Sequence, residues 1–293
     1  MFYSPLRYPG GKRRLANYVK LVLRENDLLD GDYAEVYAGG AAVALELLFE
    51  QYVNHVYIND LDPGIHAFWS LCIYHTEEFC EWIEAVDVTM EERRRQKAIY
   101  SDPSSTLFEL GAATFFLNRT SRSGIITGGV IGGKNQTGKY KVDARFTKST
   151  LINRIRRIGR NKSRITLTKM DGVEFIQHVV PTLPHRSLTY LDPPYYVAGT
   201  QALYANYYDE GDHVGVGQGI ANSGANWIVS YDNVDEIRQI YQGFRRIEYD
   251  IQYSAQESYE GEEVMFFSDS LSVPEYSNPS RMSRKNLRQL ELA

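Results

Sequence analysis

Short apolar runs that each stop at an acid recur along this chain, and they restrict its fold more than any other feature. Glu35-Val36-Tyr37 runs into the turn Ala38-Gly39-Gly40-Ala41, and His55-Val56-Tyr57-Ile58 closes on Asn59-Asp60. Ile165-Thr166-Leu167-Thr168 precedes Asp171, and Ser187-Leu188-Thr189-Tyr190-Leu191 precedes Asp192. Runs of this kind, separated by helix-length segments, predict the strands of a largely parallel α/β sheet. Helices are expected from Ala42 to Phe49, from Gly64 towards Tyr74, through Phe175 to Val179, and from Ile237 to Tyr241 after the strand Trp227–Ser230. Arg245–Tyr253 and Glu263–Phe267 read as an antiparallel hairpin on the sheet edge. Between the two halves, residues 76–118 read as helical, with Glu91-Glu92-Arg93-Arg94-Arg95 as a charged surface turn. The glycine-rich stretch Ser121–Lys134 is expected as loop or hairpin. From about Ser270 the chain is polar and is expected to fray.

Composition narrows the class. The 293 residues are 43% hydrophobic and 24% charged, which is ordinary for a globular chain. No apolar run approaches the ~18 residues of a membrane span. The opening Met1-Phe2-Tyr3-Ser4-Pro5-Leu6-Arg7 lacks the layout of a signal peptide. Cys72 and Cys80 are too few for a metal knuckle and read as reduced thiols, so the expected setting is cytoplasmic. The net charge is −5, which alone argues against a nucleic-acid partner. Its distribution argues the other way. Arg119–Arg164 holds thirteen Lys/Arg and one acid, Asp143, for +12, leaving −17 on the remainder (19 basic, 36 acidic). A segregated basic block is the footprint of a polyanion, although Arg154, Arg156, Arg157, Arg160 and Arg164 also suit a solvated helix face.

If the strands run parallel, their acids meet on one rim, where open α/β sheets bind ligands. Gly39 and Gly40 allow close backbone approach beside Tyr37. Asp60, about twenty residues on, is spaced to take ribose hydroxyls, and Asp171 suits an adenine amine. The glycines lack dinucleotide-loop spacing, so the expected cofactor is S-adenosylmethionine, with no metal. In Asp192-Pro193-Pro194-Tyr195 the prolines fix an extended backbone without amide donors. The Asp192 carboxylate and Pro193 carbonyl are then adjacent acceptors beside an aromatic ring, a grip for a planar amino group. Arg7-Tyr8-Pro9-Gly10-Gly11-Lys12 presents an aromatic and a lysine before a helix, with Lys12 a partner either for a cofactor carboxylate or for the acids.

These motifs, together with Phe116-Leu117-Asn118-Arg119 and Ser230-Tyr231-Asp232-Asn233, resemble the Dam-like, D12-class (α group) adenine-N6 DNA methyltransferases from Tyr8 to about Phe267. The chain departs from the family in its cofactor loop, where Tyr37 replaces the usual Phe and Ala41 a second Gly. The resemblance implies a Rossmann-like mixed seven-stranded sheet with a helical and loop insertion. On that view residues 1–75 and 165–293 form the catalytic domain that binds S-adenosylmethionine, and 76–164 the target-recognition domain. It places Tyr8, Lys12, Asp60 and Asp192 among positions that bind the cofactor or hold the amine, and the recognition element at Asn118–Lys148. It implies double-stranded DNA as substrate, admits a cognate restriction endonuclease and a monomer or weak dimer, and suits a bacterial or phage-infected cell and its nucleoid. The loop after Asn118-Arg119 lacks the aromatic of GATC-reading relatives, so GATC specificity is not assumed.

The expected chemistry follows. Adenine must leave the duplex to be reached. Tyr195, with Tyr196 or Tyr253 on the other face, would stack on it, while Asp192 and Pro193 accept its amine hydrogens. Asn118, Arg119 and Arg122 are candidates for base or phosphate contacts. Lys134, Lys139, Lys141, Arg145 and Lys148 suit phosphate. The alternatives are an RNA-adenine or protein-glutamine methyltransferase, which typically has Asn in place of Asp192, and a non-catalytic DNA-binding relative.

Overall fold

A computed structural model describes residues 2–7, 12–196, 208–254 and 258–291. The strands are β1 (Gly31–Glu35), β2 (Val53–Asn59), β3 (Ile165–Thr168), β4 (Ser187–Leu191), β5 (Asn226–Asp232), β6 (Arg245–Ser254) and β7 (Ser258–Phe267). The helices are α1 (Ala16–Glu25), α2 (Ala42–Phe49), α3 (Pro63–Tyr74), α4 (Thr76–Ala85), α5 (Met90–Ser101), α6 (Leu107–Thr120), α7 (Lys148–Arg160), α8 (Gly172–His178), α9 (Glu210–Ala221), α10 (Asp235–Ile240) and α11 (Arg284–Glu291).

The strands form one mixed seven-stranded sheet in the order β3-β2-β1-β4-β5-β7-β6. β1 is parallel to both β2 and β4, and β4 to β5, whereas β7 runs antiparallel to β5. All five residues of β4 are buried, as its unbroken apolar run requires of a strand covered on both faces. The chain leaves β1 towards β2 and returns to β4 on its other side, so the strand order reverses between β1 and β4. That reversal opens a crevice at the strands' carboxyl ends. Behind the crevice, Trp227 packs on Phe244 at 4.9 Å and Tyr241 stacks on Phe266 at 4.8 Å. Truncating a ring as buried as Trp227 typically costs ~3–5 kcal/mol.

Two compact units are distinguished. One comprises Gly11–Leu61, Thr168–Tyr253 and Ser258–Ala293; the other is built mainly from Asp62–Leu167 with the N-terminal ten residues. The second unit is helical, and its centre is aromatic: Phe68 stacks on Phe115 at 5.7 Å, with Phe79 and Phe146 at its edges. Gly111 of α6 lies against the Ala67 carbonyl of α3, where a Cβ would stand 2.8 Å from the oxygen. The helices therefore cross at near-backbone contact.

Three expectations change. The boundary falls after Leu61 rather than after residue 75, because α3 packs on α6 and α7. Glu91–Arg95 is no turn but part of α5, started by Thr89, whose hydroxyl accepts from the Glu92 amide, and braced by Glu92 against Arg95 and Gln96. The stretch beyond Ser270 does not fray throughout. The Pro274 and Met282 carbonyls accept from Tyr18 and Asn17 of α1, and Leu287 of α11 is buried.

Candidate active site

Asp192 leaves the sheet at the carboxyl end of β4, where the two prolines end the ladder. Lys12 opens a short 3-10 turn, Lys12–Leu15, that leads into α1. Its Nζ stands 3.1 Å from Asp192 Oδ1 and 2.6 Å from Glu263 Oε1, with side-chain exposures of 2%, 23% and 0% for Lys12, Asp192 and Glu263. Lys12 also donates to the Tyr195 hydroxyl at 3.0 Å, and that hydroxyl donates to Glu263 Oε1 at 3.0 Å. Tyr249 of β6 donates to the second Glu263 oxygen at 2.7 Å. On the other side, Asp232 accepts from the Tyr196 amide at 3.1 Å, and Asp232 pairs with Glu263 across β5 and β7. The tetrapeptide and the residue that follows it are therefore held by neighbouring acids, Tyr195 by Glu263 and Tyr196 by Asp232.

The charges respond to this burial. Desolvation pulls the Lys12 ammonium towards neutrality, but Asp192 and Glu263 together outweigh it and raise its pKa well above the usual lysine value. Burial raises the Asp192 carboxyl to about 6 against the pull of Lys12, with Glu263 adding repulsion. Glu35 at the end of β1 is raised to about 8 by burial, although the Ala44 amide at 2.8 Å and Tyr33 oppose it.

Beside this cluster lie the ends of β1 and β2. Gly39 adopts a left-handed φ of 46° and donates its amide to Asp60 Oδ2 at 2.8 Å. Asn59 ties the rim together: its amide donates to the Val36 and Met170 carbonyls and accepts from the Met170 amide and the Thr168 hydroxyl. Tyr37 lies against α8, where a Cβ on Gly172 would stand 2.1 Å from its hydroxyl. Asp171 caps α8 through the Val173 amide and accepts from Tyr208. Ala41 precedes α2 with φ 43° and ψ 39°, a left-handed conformation that suits glycine better than a residue with a Cβ.

The sequence model of D12 class N6 adenine-specific DNA methyltransferases matches residues 8–255. The chain belongs to that family. No curated protein matches it. Solved structures similar to this methyltransferase include an rRNA methyltransferase from Streptomyces viridochromogenes (14% identity, 90% of this chain and 86% of that one, TM-score 0.37). TrmK of M. capricolum, in complex with S-adenosylhomocysteine, is 8% identical (92% and 73%, TM-score 0.36). At these scores the likeness carries no argument, and the fold rests on the chain's own sheet. The family's cofactor is S-adenosylmethionine. The residues present fit it: a left-handed glycine turn ends β1, the Asp60 carboxylate is turned towards that turn, and a buried cluster of net charge −1 (Lys12, Asp192, Glu263) suits a sulfonium.

In this methyltransferase the sheet unit brings together Lys12, Tyr37, Gly39, Gly40, Asp60, Asp171, Asp192, Pro193, Pro194 and Tyr195. Lys12 pairs with the acids Asp192 and Glu263. Tyr8 and the side chain of Tyr253 lie outside the described residues.

The helical unit holds the whole basic block, and two candidates there are corrected. Asn118 is 1% exposed and accepts from the Arg7 amide while donating to the Arg7 and Gly124 carbonyls. Arg119 is 9% exposed and donates to the Arg145 and Pro5 carbonyls. Both shape the loop rather than present an arm. Lys148 is partly committed as well, donating to the Glu84 carbonyl at the end of α4. Arg122, Lys134, Lys139, Lys141 and Arg145 are exposed, and Lys139 and Arg145 both lie over the ring of Tyr140.

Sequence reasoning missed Glu263, Tyr249 and the structural role of Asn59. The available signal for Glu263 was an acid inside the strand Glu263-Val264-Met265-Phe266-Phe267, where a surface acid would ordinarily alternate with apolar residues.

Proposed function

We propose that the protein methylates N6 of an adenine flipped out of double-stranded DNA, with the sheet unit carrying the chemistry and the helical unit the target recognition. The observation behind this reading is the buried Lys12–Asp192 contact at the carboxyl end of β4. It fixes a carboxylate beside the Pro193 carbonyl and the Tyr195 ring.

Asp192 and Pro193 accept the two amine hydrogens of the extruded base. That pulls the nitrogen lone pair out of conjugation with the ring and orients it. Tyr195, anchored through its hydroxyl to Lys12 and Glu263, presents its ring for stacking, which contributes ~1–3 kcal/mol per base. This offsets the few kcal/mol spent on unstacking. Asp60 and the Gly39 turn hold the cofactor, which supplies an electrophilic methyl group when bound. Orientation supplies most of the acceleration. Asp192 need not take the proton during transfer, because the proton can leave afterwards. Exposed Arg122 reads a base edge, and Lys134, Lys139, Lys141 and Arg145 meet phosphate.

The test is tritiated methyl transfer from S-adenosylmethionine to unmethylated duplex DNA, RNA and protein side by side. Label in N6-methyladenine of DNA supports the reading. Label confined to RNA or protein replaces it with one of the alternatives, and no label with any acceptor leaves a non-catalytic relative.

A further inference from the structure

We infer that Glu263 is a positioning residue for methyl transfer: it draws the Lys12 ammonium away from Asp192 and so keeps the Asp192 carboxylate available to the substrate amine. The inference rests on the reading of Asp192 as the amine acceptor. It adds a residue far away in sequence that acts only through another.

The geometry carries the argument. Lys12 has two acids to choose between and lies closer to Glu263, at 2.6 Å against 3.1 Å for Asp192. Glu263 is also held more firmly than Asp192. It is fully buried, its Oε1 accepts from Tyr195, and its Oε2 accepts from Tyr249. Asp192 is the partly exposed member and, besides Lys12, receives a long 3.5 Å contact from Ser230. An ammonium that bonded Asp192 alone would occupy the oxygen that has to accept an N6 hydrogen. Shared with Glu263, it still touches Asp192 Oδ1, but through the longer of its two carboxylate contacts, so it engages the Asp192 carboxylate less fully while supplying positive potential.

Other groups face Asp192 without offering Lys12 an alternative. The hydroxyls of Tyr190 of β4 and Ser230 of β5 share a hydrogen bond at 2.5 Å. Glu35 and Tyr33 of β1 pair with each other, and Glu35 accepts from Ala44. Glu263 is the one carboxylate besides Asp192 in contact with Lys12 among the described residues. Its influence on Asp192 follows a definite sign. Loss of its charge leaves Asp192 as the full counter-charge of Lys12, which tightens that pair and makes Asp192 harder to protonate.

The experiment compares wild type with Glu263→Gln, in which the amide keeps the size and one acceptor but not the charge. The pH profile of methyl transfer is expected to move its acid limb about one pH unit lower. The plateau is expected to fall on the order of tenfold to a hundredfold, as the acceptor is misplaced. A second readout needs no cofactor: carbon-13 titration of the aspartate carboxyls, with Asp192→Asn to assign the signal, should show the same downward move. Tyr249→Phe keeps the charge and removes one donor to Glu263. It should leave the limb in place or raise it. A scaled profile with an unmoved limb in Glu263→Gln, or a downward move in Tyr249→Phe, overturns the inference. Absence of any DNA methylation by wild type would refute the proposed function instead, and the titration would still decide whether Glu263 governs Asp192.

Discussion

Lys12 and Glu263 are 251 positions apart in the chain, yet their charged groups meet at 2.6 Å with almost no exposure of either side chain. A local motif at one end of the molecule is thus completed by a strand near the other. Much of the site's behaviour follows from that single contact.

Removing the cation should be costly. Lys12→Met leaves Asp192 and Glu263 facing each other with no counter-charge. Breaking a buried pair in this way typically destabilises by ~3–5 kcal/mol. Urea unfolding should show that loss, and Glu263→Gln in the same background should recover part of it.

Asp192→Asn keeps the shape of the acceptor but lacks its charge and offers an N–H to the substrate amine. Methyl transfer should fall by roughly a hundredfold or more, with folding retained. Near-normal labelling of DNA by this variant would remove Asp192 from the mechanism.

The contribution of Glu35 to stability should decline as pH rises from about 4.5 to about 8. Burial raises Glu35 to about 8, so the folded state holds this proton more tightly than the unfolded state does. The resulting stabilisation is complete below the unfolded value near 4.5 and is lost as pH rises through about 8. Scanning calorimetry from pH 5 to pH 9 should show a Tm that falls up to about pH 8 and then levels off, and Glu35→Gln should flatten it.

Ala41 holds a left-handed conformation that costs a residue with a Cβ about 1 kcal/mol relative to glycine. Ala41→Gly should therefore raise stability by ~1 kcal/mol in denaturant titration. A decrease would show that the added freedom of the unfolded chain outweighs the relief of strain.

In the helical unit, residues that hold the loop and residues that meet DNA should separate. Asn118→Ala should lower stability by ~1–3 kcal/mol through unsatisfied buried groups, with the salt dependence of DNA binding unchanged. Lys139→Ala should leave stability alone and reduce the slope of log affinity against log salt by roughly one. Arg122→Ala should relax sequence preference, read by mapping methylated adenines in exposed genomic DNA.

What the sequence disclosed was local. Asp192-Pro193-Pro194-Tyr195, Asn59-Asp60 and the Gly39-Gly40 turn each announce a strand end within a few residues, and all three reach the expected rim. Glu263 could not be read this way, because nothing beside it in sequence indicates a lysine 251 positions away. Asn118 and Arg119 looked available because they are polar and precede a loop. Their burial depends on the N-terminal segment, whose Arg7 backbone lies against Gly124. The charge run in α5 suggested a turn because its like charges are adjacent. Along a helix they fan out, and the Thr89 cap with the Glu92 pairs decides the matter.

The sheet order carries a consequence for synthesis. Among the described residues β7 is the last strand, but it lies inside the sheet, between β5 and β6. Until it emerges from the ribosome, β6 has no neighbour to pair with and Lys12 lacks its second acid. A nascent chain long enough to contain Asp192 therefore holds the tetrapeptide without its clamp. The clamp on the tetrapeptide is thus completed only once β7 has been made.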